Sequence, residues 1–374
     1  MAKSLYIHIP FCRQRCLYCD FYSTIHDPQL APSYIDILTA QIDRLAEPFS
    51  TIYMGGGTPT VLDPSLLEKL IKSLRKNVCA KTEWTVEANP ESLSDDKIKL
   101  FLDAGVNRIS IGVQSLQERK LRLLGRVHTA KQAHDAVSLA KKRGFTNISI
   151  DLIFGMWSET LQGWEKDLDE ALQLPIDHVS CYALTYEKTT PLWNAVANGS
   201  IRPLDDTIAA QMYEDAIDRL SVRGFKQYEV SNFAKDGYGC RHNLAYWNND
   251  SYIGLGPSAV SYVNGTRERN VSDLKAYMDN IAEGRSIVEF SESLSPVRRA
   301  KETAAIKIRT KEGIDFASFK EKTGFDFLTL EKKALPELVE QDLIKYRKQD
   351  NAVTGIHLKR KGFLFCDSVS SALL

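Results

Sequence analysis

The sequence lacks an excess of charge of either sign. Lys and Arg together number 48, and Asp and Glu together also number 48. The two kinds of charge are interspersed along the chain, so no strong positive field is available to hold a nucleic-acid backbone. This balance argues against a nucleic-acid partner.

The sequence also lacks long apolar runs. No stretch approaches the roughly 18 apolar residues of a transmembrane helix, and the opening MAKSLYIHIPFC has no apolar segment of a signal peptide. We therefore expect a cytoplasmic protein with no transmembrane segment. The cysteines are few and odd in number, seven in all, which argues against a disulfide framework and favours reduced thiols, some of them ligands.

Short apolar segments alternate with amphipathic segments from residue 4 to about residue 185, as in repeated strand–helix units on a parallel sheet. The predicted strands are SLYIHIP, TIYMGG, WTVEAN, RISIGVQ, NISIDLIFG and HVSCYAL. Gly105, Gly144 and Gly224 each follow a helical pattern and are expected to end a helix in the left-handed conformation. Six such units predict an α/β fold with an open or partial barrel.

The pattern changes after about residue 190. A long helix is predicted near residues 205–223, and the Gly-, Asn- and Tyr-rich stretch from Gly237 to Gly256 predicts a functional loop. Helical patterns then precede two strand candidates, LIKYR and GIHLK. We expect a core over residues 1–190, a barrel extension over 191–285, and a smaller helical or α+β domain over 286–374.

Cys12, Cys16 and Cys19 have the spacing C-x3-C-x2-C in the loop after the first predicted strand. This is the edge of the sheet where barrel-type sites are built. A structural zinc ion usually has four protein ligands, and no nearby Cys or His pair completes such a set. Three thiolates suit a [4Fe-4S] cluster with one iron free of protein ligands, which the amino and carboxylate groups of S-adenosylmethionine can chelate.

With Tyr18 before the third cysteine, this motif resembles the signature of the radical S-adenosylmethionine superfamily. The resemblance implies a partial (β/α)6 barrel of the TIM type with the cluster at its mouth. Six motifs, YIHIPFC, GGGTPT, GVQS, GR-x-H, IDLIFG and GLGPSA, occur here in the order found in the coproporphyrinogen dehydrogenase group. They cover most of the chain.

The resemblance implies two sets of cofactor-binding residues. Those expected to touch the cluster-bound S-adenosylmethionine are Tyr6, Tyr18, Gly56, Glu87 and Ala183. Those expected to line the same pocket are Gly57, Thr58, Gln114, Arg126, Asp151 and Val260.

The residues themselves support several of these roles. The glycine run of GGGTPT allows backbone N–H groups to approach a ligand closely, although a tight turn is an alternative. Glu87 could accept from an ammonium group, and Arg126 could clamp a carboxylate or form a surface ion pair. Asp151 is a polar residue in an apolar strand, which is costly unless it is bonded, and a ribose diol would satisfy it.

Two features separate this chain from the dehydrogenases of that group. Those enzymes carry a further Cys where this chain has Phe21, and they have a long segment before the cluster, whereas eleven residues precede Cys12 here. The motif HN-x-x-YW resembles that of the HemW heme chaperone branch, which implies heme-binding roles for His242, Asn243, Tyr246 and Trp247. An imidazole can ligate heme iron and aromatic side chains can pack on the macrocycle, although a hydrogen-bonded structural histidine is the competing interpretation.

The leading hypothesis is a heme chaperone that binds heme, a [4Fe-4S] cluster and S-adenosylmethionine, and passes heme to an acceptor protein. A membrane-associated acceptor is one option. His242 is the first choice of axial ligand, with Cys240 and His8 open, and no catalytic residue is assigned. The alternatives are an oxygen-independent coproporphyrinogen III oxidase and a cluster-binding scaffold without turnover.

Overall fold

The computed structural model describes residues 3–46, 48–350 and 352–374. Its strands are β1 (Ser4–Ile9), β2 (Phe11–Cys12), β3 (Thr24–Ile25), β4 (Thr51–Gly56), β5 (Glu83–Ala88), β6 (Arg108–Gln114), β7 (Ile148–Phe154), β8 (His178–Ala183), β9 (Lys226–Gln227), β10 (Asn232–Ala234), β11 (Tyr252–Leu255), β12 (Val260–Val263), β13 (Thr266–Asn270), β14 (Val288–Ser293), β15 (Ile314–Asp315), β16 (Ile344–Gln349) and β17 (Ala352–Leu358).

The α-helices alternate with the strands in the first half of the chain and cluster near its end. They are α1 (Leu30–Asp43), α2 (Pro64–Leu74), α3 (Asp95–Ala104), α4 (Glu118–Leu123), α5 (Ala130–Arg143), α6 (Leu161–Ala171), α7 (Pro191–Ala197), α8 (Asp206–Val222), α9 (Arg241–Trp247), α10 (Leu274–Ala282), α11 (Pro296–Lys307), α12 (Phe316–Thr323), α13 (Phe327–Leu330), α14 (Ala334–Glu340), α15 (Arg360–Leu364) and α16 (Cys366–Ala372). No described helix combines the length and hydropathy needed to cross a bilayer.

The described residues form one large sheet of twelve strands, in the order β14-β13-β12-β11-β1-β4-β5-β6-β7-β8-β10-β9. The strands from β1 to β8 in this order are parallel and correspond to the six predicted strands. Within the described ranges no hydrogen bonds join β9 to β14, so the barrel is open, and the predicted α/β partial barrel is confirmed. The sequence did not indicate β11, which adds a parallel strand beside β1.

The parallel strands are almost continuously buried, as expected for strands covered on both faces. In β6, for example, the side chains before Gln114 are all buried. The helices cover the outer face with apolar stripes: in α2 the buried residues are Leu67, Leu70, Ile71 and Leu74, at helical spacing. Each such side chain contributes about 1.5–3 kcal/mol on burial.

The predicted helix ends are confirmed at three glycines. Gly105, Gly144 and Gly224 have φ values of +96°, +116° and +83°, which a residue with a Cβ adopts only at a cost. The first two cap α3 and α5, and their N–H groups bond to carbonyl groups of the last helical turn. These caps fix where each helix turns back toward the sheet.

The loop predicted from Gly237 to Gly256 is wrong in part. The stretch contains α9 and β11. Gly237, Asn249 and Gly256, with φ values of +86°, +52° and +101°, mark the turns that separate these elements. Glycine and asparagine favour such turns, so the composition indicated turns between short elements and not one long loop.

The end of the chain forms a smaller α+β unit, as predicted. A three-stranded sheet in the order β15-β17-β16 contains the strands predicted from LIKYR and GIHLK. The chain order of helix α11, strand β15, helices α12 to α14 and hairpin β16–β17 is that of a winged helix. The boundaries at 190 and 285 stay a prediction, and β14, which belongs to the large sheet, extends to Ser293.

Candidate cofactor site

The three predicted cluster ligands lie on one loop that leaves β1 at the carboxyl edge of the sheet. Cys12 ends the short strand β2, and the N–H of Cys19 donates to the carbonyl of Cys16 over 3.3 Å, which closes a turn between them. All three thiols are half-buried and free of disulfides. Burial raises the pKa of Cys19 to about 11 and also raises the pKa of Cys12. Cys12 and Cys19 are therefore thiols until a metal centre replaces the proton.

Among the described residues, no three His, Cys, Asp or Glu side chains are grouped to hold one metal ion. Sulfur atoms around a tetrahedral zinc ion lie 2.3 Å from it and hence about 3.8 Å from one another. Thiolates on three different irons of a cubane stand further apart. Cys12, Cys16 and Cys19 are therefore not grouped around a single ion in the described part of the chain.

A chain of hydrogen bonds connects Cys12 to Cys16. It runs through polar side chains in the segments that follow β4, β5 and β6. The Cys12 thiol lies 3.6 Å from the Thr58 hydroxyl, which accepts from Asn89 Nδ2 over 2.9 Å. Asn89 Oδ1 accepts from Arg126 Nη2 over 2.6 Å, and Arg126 Nη1 donates to Cys16 Sγ over 3.3 Å. Thr58 and Arg126 were predicted from the resemblance, whereas the sequence did not single out Asn89.

Arg126 is hydrogen-bonded within the protein and still has an unused donor. Its Nη2 also donates to the carbonyl of Gly112 over 2.8 Å, while its buried Nε has no partner in the described part of the chain. A cation beside Cys16 offsets the negative charge of a thiolate-bound cluster. The residues present therefore fit a [4Fe-4S] group at this place.

The backbone N–H groups of the glycine run at the end of β4 form hydrogen bonds within the protein. The N–H groups of Gly57 and Thr58 donate to the carbonyls of Ile9 and Phe11 over 2.8 and 2.7 Å. The N–H of Gly56 donates to Glu87 Oε2 over 3.1 Å. These three donors are therefore used within the protein, and the contact of Gly56, Gly57 and Thr58 with a cofactor stays a prediction.

Close packing explains why glycine is needed in this run. A Cβ on Gly55 would lie 2.6 Å from the Glu87 carboxylate, and one on Gly56, at φ +104°, would lie 2.4 Å from the His8 ring. A Cβ on Gly57 would lie 2.7 Å from the carbonyl oxygen of Ile9. The glycines thus let the backbone of β4 pass directly against the side chains of its neighbours.

Glu87 of β5 lies against the glycine run of β4. Its Oε1 accepts from the Tyr53 hydroxyl over 2.7 Å. Burial raises the pKa of Glu87 to about 7, against the lowering effect of the Tyr53 hydrogen bond, and the nearby carboxylate of Asp151 raises it further. A buried carboxylate of this kind suits a ligand that brings its own positive charge.

Asp151 lies in β7 beside Ser180 of β8. Burial raises the pKa of this carboxyl, while hydrogen bonds from Ser180 and Ser110 and the charges of Arg108 and Arg126 lower it. The predicted contact of Asp151 with a ribose stays a prediction.

Gln114 ends β6 with a positive φ of +64° at a register shift against β7. The segment that follows is held by a buried ion cluster: Asp167 accepts from the Ser115 hydroxyl, from the N–H of Leu116 over 2.7 Å, and from Lys120 Nζ over 3.1 Å. Lys120 also pairs with Glu159. This cluster gives the GVQS motif a structural role that sequence reasoning missed.

The remaining predicted cofactor residues lie at the rim of this region. Tyr18 packs against Leu124, Ile153 and Met156 in a small apolar cluster, and its neighbours include Arg126. Ala183 is an exposed residue at the end of β8. Tyr6 and Val260 line a separate pocket, described below.

His242 is a buried structural residue at the start of α9. Its Nδ1 lies 2.8 Å from the Thr51 hydroxyl and its Nε2 lies 2.9 Å from the Tyr246 hydroxyl. The side chain is 1% exposed, and its ring stacks on Tyr53 with centroids 5.1 Å apart. Burial lowers the pKa of His242 to about 3. Both nitrogens are occupied in the structure without ligand, as the competing interpretation of a hydrogen-bonded structural histidine expects, and the role of His242 as an axial heme ligand stays a prediction.

The other two candidate axial ligands are occupied as well. His8 donates from Nε2 to the Tyr22 carbonyl over 2.9 Å and accepts at Nδ1 from the Tyr6 hydroxyl over 3.0 Å. Cys240 is fully buried, and its thiol points at Glu83 Oε1 at 3.7 Å. Glu83 also accepts from the N–H of His242 over 3.1 Å, so it caps α9. Sequence reasoning missed Glu83 because it lies in β5, far from α9 along the chain.

An aromatic pocket of about 330 Å³ lies beside the cysteine loop. It is lined by Tyr6, His8, Phe21, Tyr22, Tyr246, Trp247, Asn249, Tyr252, Ser258, Ala259, Val260, Arg267 and Ile306. Tyr246 and Tyr252 meet edge to face with centroids 4.5 Å apart. The structure therefore brings Tyr246 and Trp247 of the HN-x-x-YW motif to one cavity, whereas Asn243 does not line it.

Comparison with known proteins agrees with this geometry. A family model described as the radical SAM superfamily matches residues 6–171. The heme chaperone HemW of Bacillus subtilis is 36% identical over 380 residues, covering 100% of this chain and 99% of the relative. That of Lactococcus lactis is also 36% identical, covering 100% of this chain and 97% of the relative.

This chain belongs to the HemW heme chaperone family. The solved structure of coproporphyrinogen III oxidase (HemN) from Escherichia coli has a TM-score of 0.84 at 22% identity and covers 99% of this chain and 89% of that one. This likeness shows that this chain shares the HemN fold.

A [4Fe-4S] cluster and S-adenosylmethionine are the cofactors of this superfamily, and the residues present fit them. When bound, the pair supplies one-electron cleavage of S-adenosylmethionine to a 5′-deoxyadenosyl radical. The residues that would hold the cluster in this chain are Cys12, Cys16 and Cys19. Thr58, Asn89 and Arg126 orient that loop, and Glu87 provides a buried carboxylate for an ammonium group.

Proposed function

We propose that this chain binds heme in the aromatic pocket and passes it to an acceptor protein. The observation that carries this proposal is the position of the pocket: Phe21 and Tyr22 follow the last cluster cysteine, Cys19, and Tyr6 of β1 lines the same cavity. Flat aromatic walls suit a planar macrocycle. The HemW relatives are named heme chaperones.

The pocket suits a molecule that must be released again. At about 330 Å³ it lies at the lower end of the range of about 300–1,000 Å³ for ligand pockets, so a porphyrin would be only partly enclosed. Phe21 is 72% exposed although it is a large apolar side chain, which marks a surface that a ligand would cover. Because Phe21 lines the pocket, a bound ligand would cover this exposed ring.

Arg267 is the guanidinium group that lines the pocket. It donates to Glu302 Oε1 over 2.7 Å and lies over the Tyr262 ring, 5.3 Å from the centroid. A guanidinium with further donors can also pair with a carboxylate, and heme carries two propionates. We therefore propose that Arg267 binds a propionate, and that aromatic packing rather than coordination by His8, His242 or Cys240 retains the heme.

Hemin titration of the anaerobically reconstituted full chain tests this proposal. The parent chain should give a stoichiometric Soret band. Phe21→Ala should weaken hemin binding several-fold, while Phe290→Ala, which removes an exposed ring on β14 outside the pocket, should not. Likewise Arg267→Gln should weaken binding and Arg269→Gln, on the same strand, should leave it unchanged. A parent chain without the band would refute the proposal.

The oxygen-independent coproporphyrinogen III oxidase is the second candidate function. The common fold allows it, but Phe21 stands where that group has a further Cys, and no thiol is available there. An anaerobic assay of the reconstituted chain for protoporphyrinogen decides between the two. Formation of that product with turnover would replace the chaperone assignment.

The cellular location and the nature of the acceptor also belong to this proposal. We propose the cytoplasm, since the three cluster thiols must stay reduced and thiols persist in a reducing compartment. A membrane-associated acceptor stays one option. Fractionation of cells that express the tagged full chain, with the acceptor identified by crosslinking, would test both.

A further inference from the structure

The C-terminal unit carries a second cavity, of about 580 Å³, with a strongly basic lining. We call it the basic recess. Its lining residues are Lys311, Glu312, Lys345, Arg347, His357, Leu358, Lys359 and Arg360. None of the motifs of the cofactor site contributes to it.

Strand register places these cations on one face of the small sheet. Lys345 of β16 pairs with His357 of β17, and Arg347 pairs with Gly355. Alternate residues of a strand share a face, so Lys345, Arg347 and His357 lie together. A Cβ on Gly355 would lie 2.7 Å from the Arg347 guanidinium, and glycine thus leaves that side chain room over the sheet.

Ion pairs and a hydrogen bond hold the residues of the recess in place. Arg360 pairs with Asp218 of α8 over 2.7 Å, and Arg347 pairs with Asp315 over 2.8 Å. The N–H of Lys311 donates to the Tyr228 carbonyl over 2.9 Å. These bonds tie the recess to the residues that follow the barrel.

Two of the cations are left uncompensated. Five Lys and Arg side chains line the recess together with Glu312. Three of the five are paired with carboxylates: Arg347 with Asp315, Lys359 with Asp342 and Arg360 with Asp218. Within the described ranges Lys311 and Lys345 form no ion pair. Burial, followed by the charges of Lys345 and Lys311, lowers the pKa of His357. Lys311 and Lys345 are therefore the cations in the recess that a bound anion would stabilise.

The recess lies close to the aromatic pocket along the chain. Ile306 lines the pocket and Lys311 lines the recess, and five residues span at most about 18 Å. Between them Arg309 lies over the Trp247 ring, 5.3 Å from its centroid. A molecule held in the recess would thus lie within reach of a ligand in the pocket.

We propose that the basic recess docks a short acidic peptide segment of the protein that receives heme. This inference rests on the proposed function, since it names the chemistry of that partner. A concave site lined by cations, two of them without an ion pair, fits an inserted chain of carboxylates. A nucleic acid would meet Glu337 and Glu340 on α14, the helix that occupies the position of the base-reading helix in a winged helix.

The test uses the full chain and a fluorescent peptide with four consecutive glutamates, followed by anisotropy. The peptide should bind, more weakly as salt rises, and a matched peptide with four glutamines should not. The double variant Lys311→Gln/Lys345→Gln orphans no carboxylate and should weaken binding about tenfold. The double variant Lys141→Gln/Lys142→Gln, on exposed lysines of α5, should bind like the parent.

The outcomes separate this inference from the proposed function. Hemin titration of the Lys311→Gln/Lys345→Gln chain should give the parent Soret band, and the hemin-loaded parent should still bind the glutamate peptide. Displacement of the peptide by hemin would overturn the inference, as would equal binding by both double variants. The inference would also be overturned if the Lys311→Gln/Lys345→Gln variant lost binding to an RNA oligomer or to phosphatidylserine vesicles but still bound the peptide. A missing Soret band in the parent refutes the chaperone function instead.

Discussion

The hydroxyl of Tyr53 donates a hydrogen bond of 2.7 Å to Oε1 of Glu87. The same Tyr53 ring stacks on His242 at the start of α9, so one side chain contacts both the cofactor carboxylate and the HN-x-x-YW helix. Tyr246, one turn after His242, lines the aromatic pocket. The two ligand regions of this HemW family member are therefore connected by direct contacts.

The affinity for S-adenosylmethionine should depend on pH through Glu87. Its pKa of about 7 means that the carboxyl is protonated below neutrality, and the charged carboxylate is the stronger acceptor for the N–H groups of the iron-bound amino group. Affinity should therefore rise with pH through about 7 and fall about tenfold per unit well below it. Equilibrium binding to the reconstituted chain between pH 5.5 and 8.5 measures this, and Glu87→Gln should flatten the profile.

The same group links pH to stability in the chain without ligand. The folded pKa of Glu87 lies above the usual value of 4.5, so its contribution to stability is fully present below pH 4.5 and is lost as pH rises through about 7. The free energy of unfolding of Glu87→Gln should therefore decline less than that of the parent between pH 5 and 8. Parallel urea titrations measure the difference, and identical declines would contradict this assignment.

Gly56→Ala should destabilise the chain more than Gly105→Ala. Both glycines have a φ near +100°, so both substitutions cost about 1–2 kcal/mol of backbone strain. An added Cβ at Gly105 meets nothing within 4 Å, whereas at Gly56 it overlaps the His8 ring. Overpacking should add about 1–3 kcal/mol. Urea unfolding of the two variants compares them directly, and equal losses would show that the His8 contact is unimportant.

Lys120→Met should break the buried ion cluster after β6. Removing one partner leaves Glu159 and Asp167 buried without their cation, which costs about 3–5 kcal/mol. Lys131→Met is the matched control because Lys131 forms an exposed pair with Asp135, worth at most about 0.5 kcal/mol. Thermal and urea unfolding should separate the two clearly. A mild effect of Lys120→Met would mean that the cluster is not the support of the GVQS segment.

Asn89→Ala should weaken the iron site without a large loss of stability. Asn89 joins Thr58 to Arg126 beside Cys12 and Cys16, and removal of such outer partners typically costs about 10–100-fold in metal affinity. Iron and sulfide content after anaerobic reconstitution measures this. Asn107→Ala, which removes two side-chain bonds to the backbone near Trp84, should retain full iron content.

Much of the framework could be predicted from the sequence. The six parallel strands, the helix ends at Gly105 and Gly144, and the cysteine loop all depend on residues that are neighbours along the chain. Apolar alternation, capping glycines and ligand spacing are local patterns. They specify which elements form and in what order, and they placed Cys12, Cys16 and Cys19 at the carboxyl edge of the sheet.

The partners of each side chain were decided only by the tertiary structure. His242 is separated by 191 residues from Thr51, whose hydroxyl occupies its Nδ1, and no local pattern shows that contact. Asn89, Glu83 and the basic recess were missed for the same reason. Hydrogen bonds and burial depend on which strands lie side by side, so whether a histidine is a free ligand or a satisfied core residue is settled by residues distant in sequence.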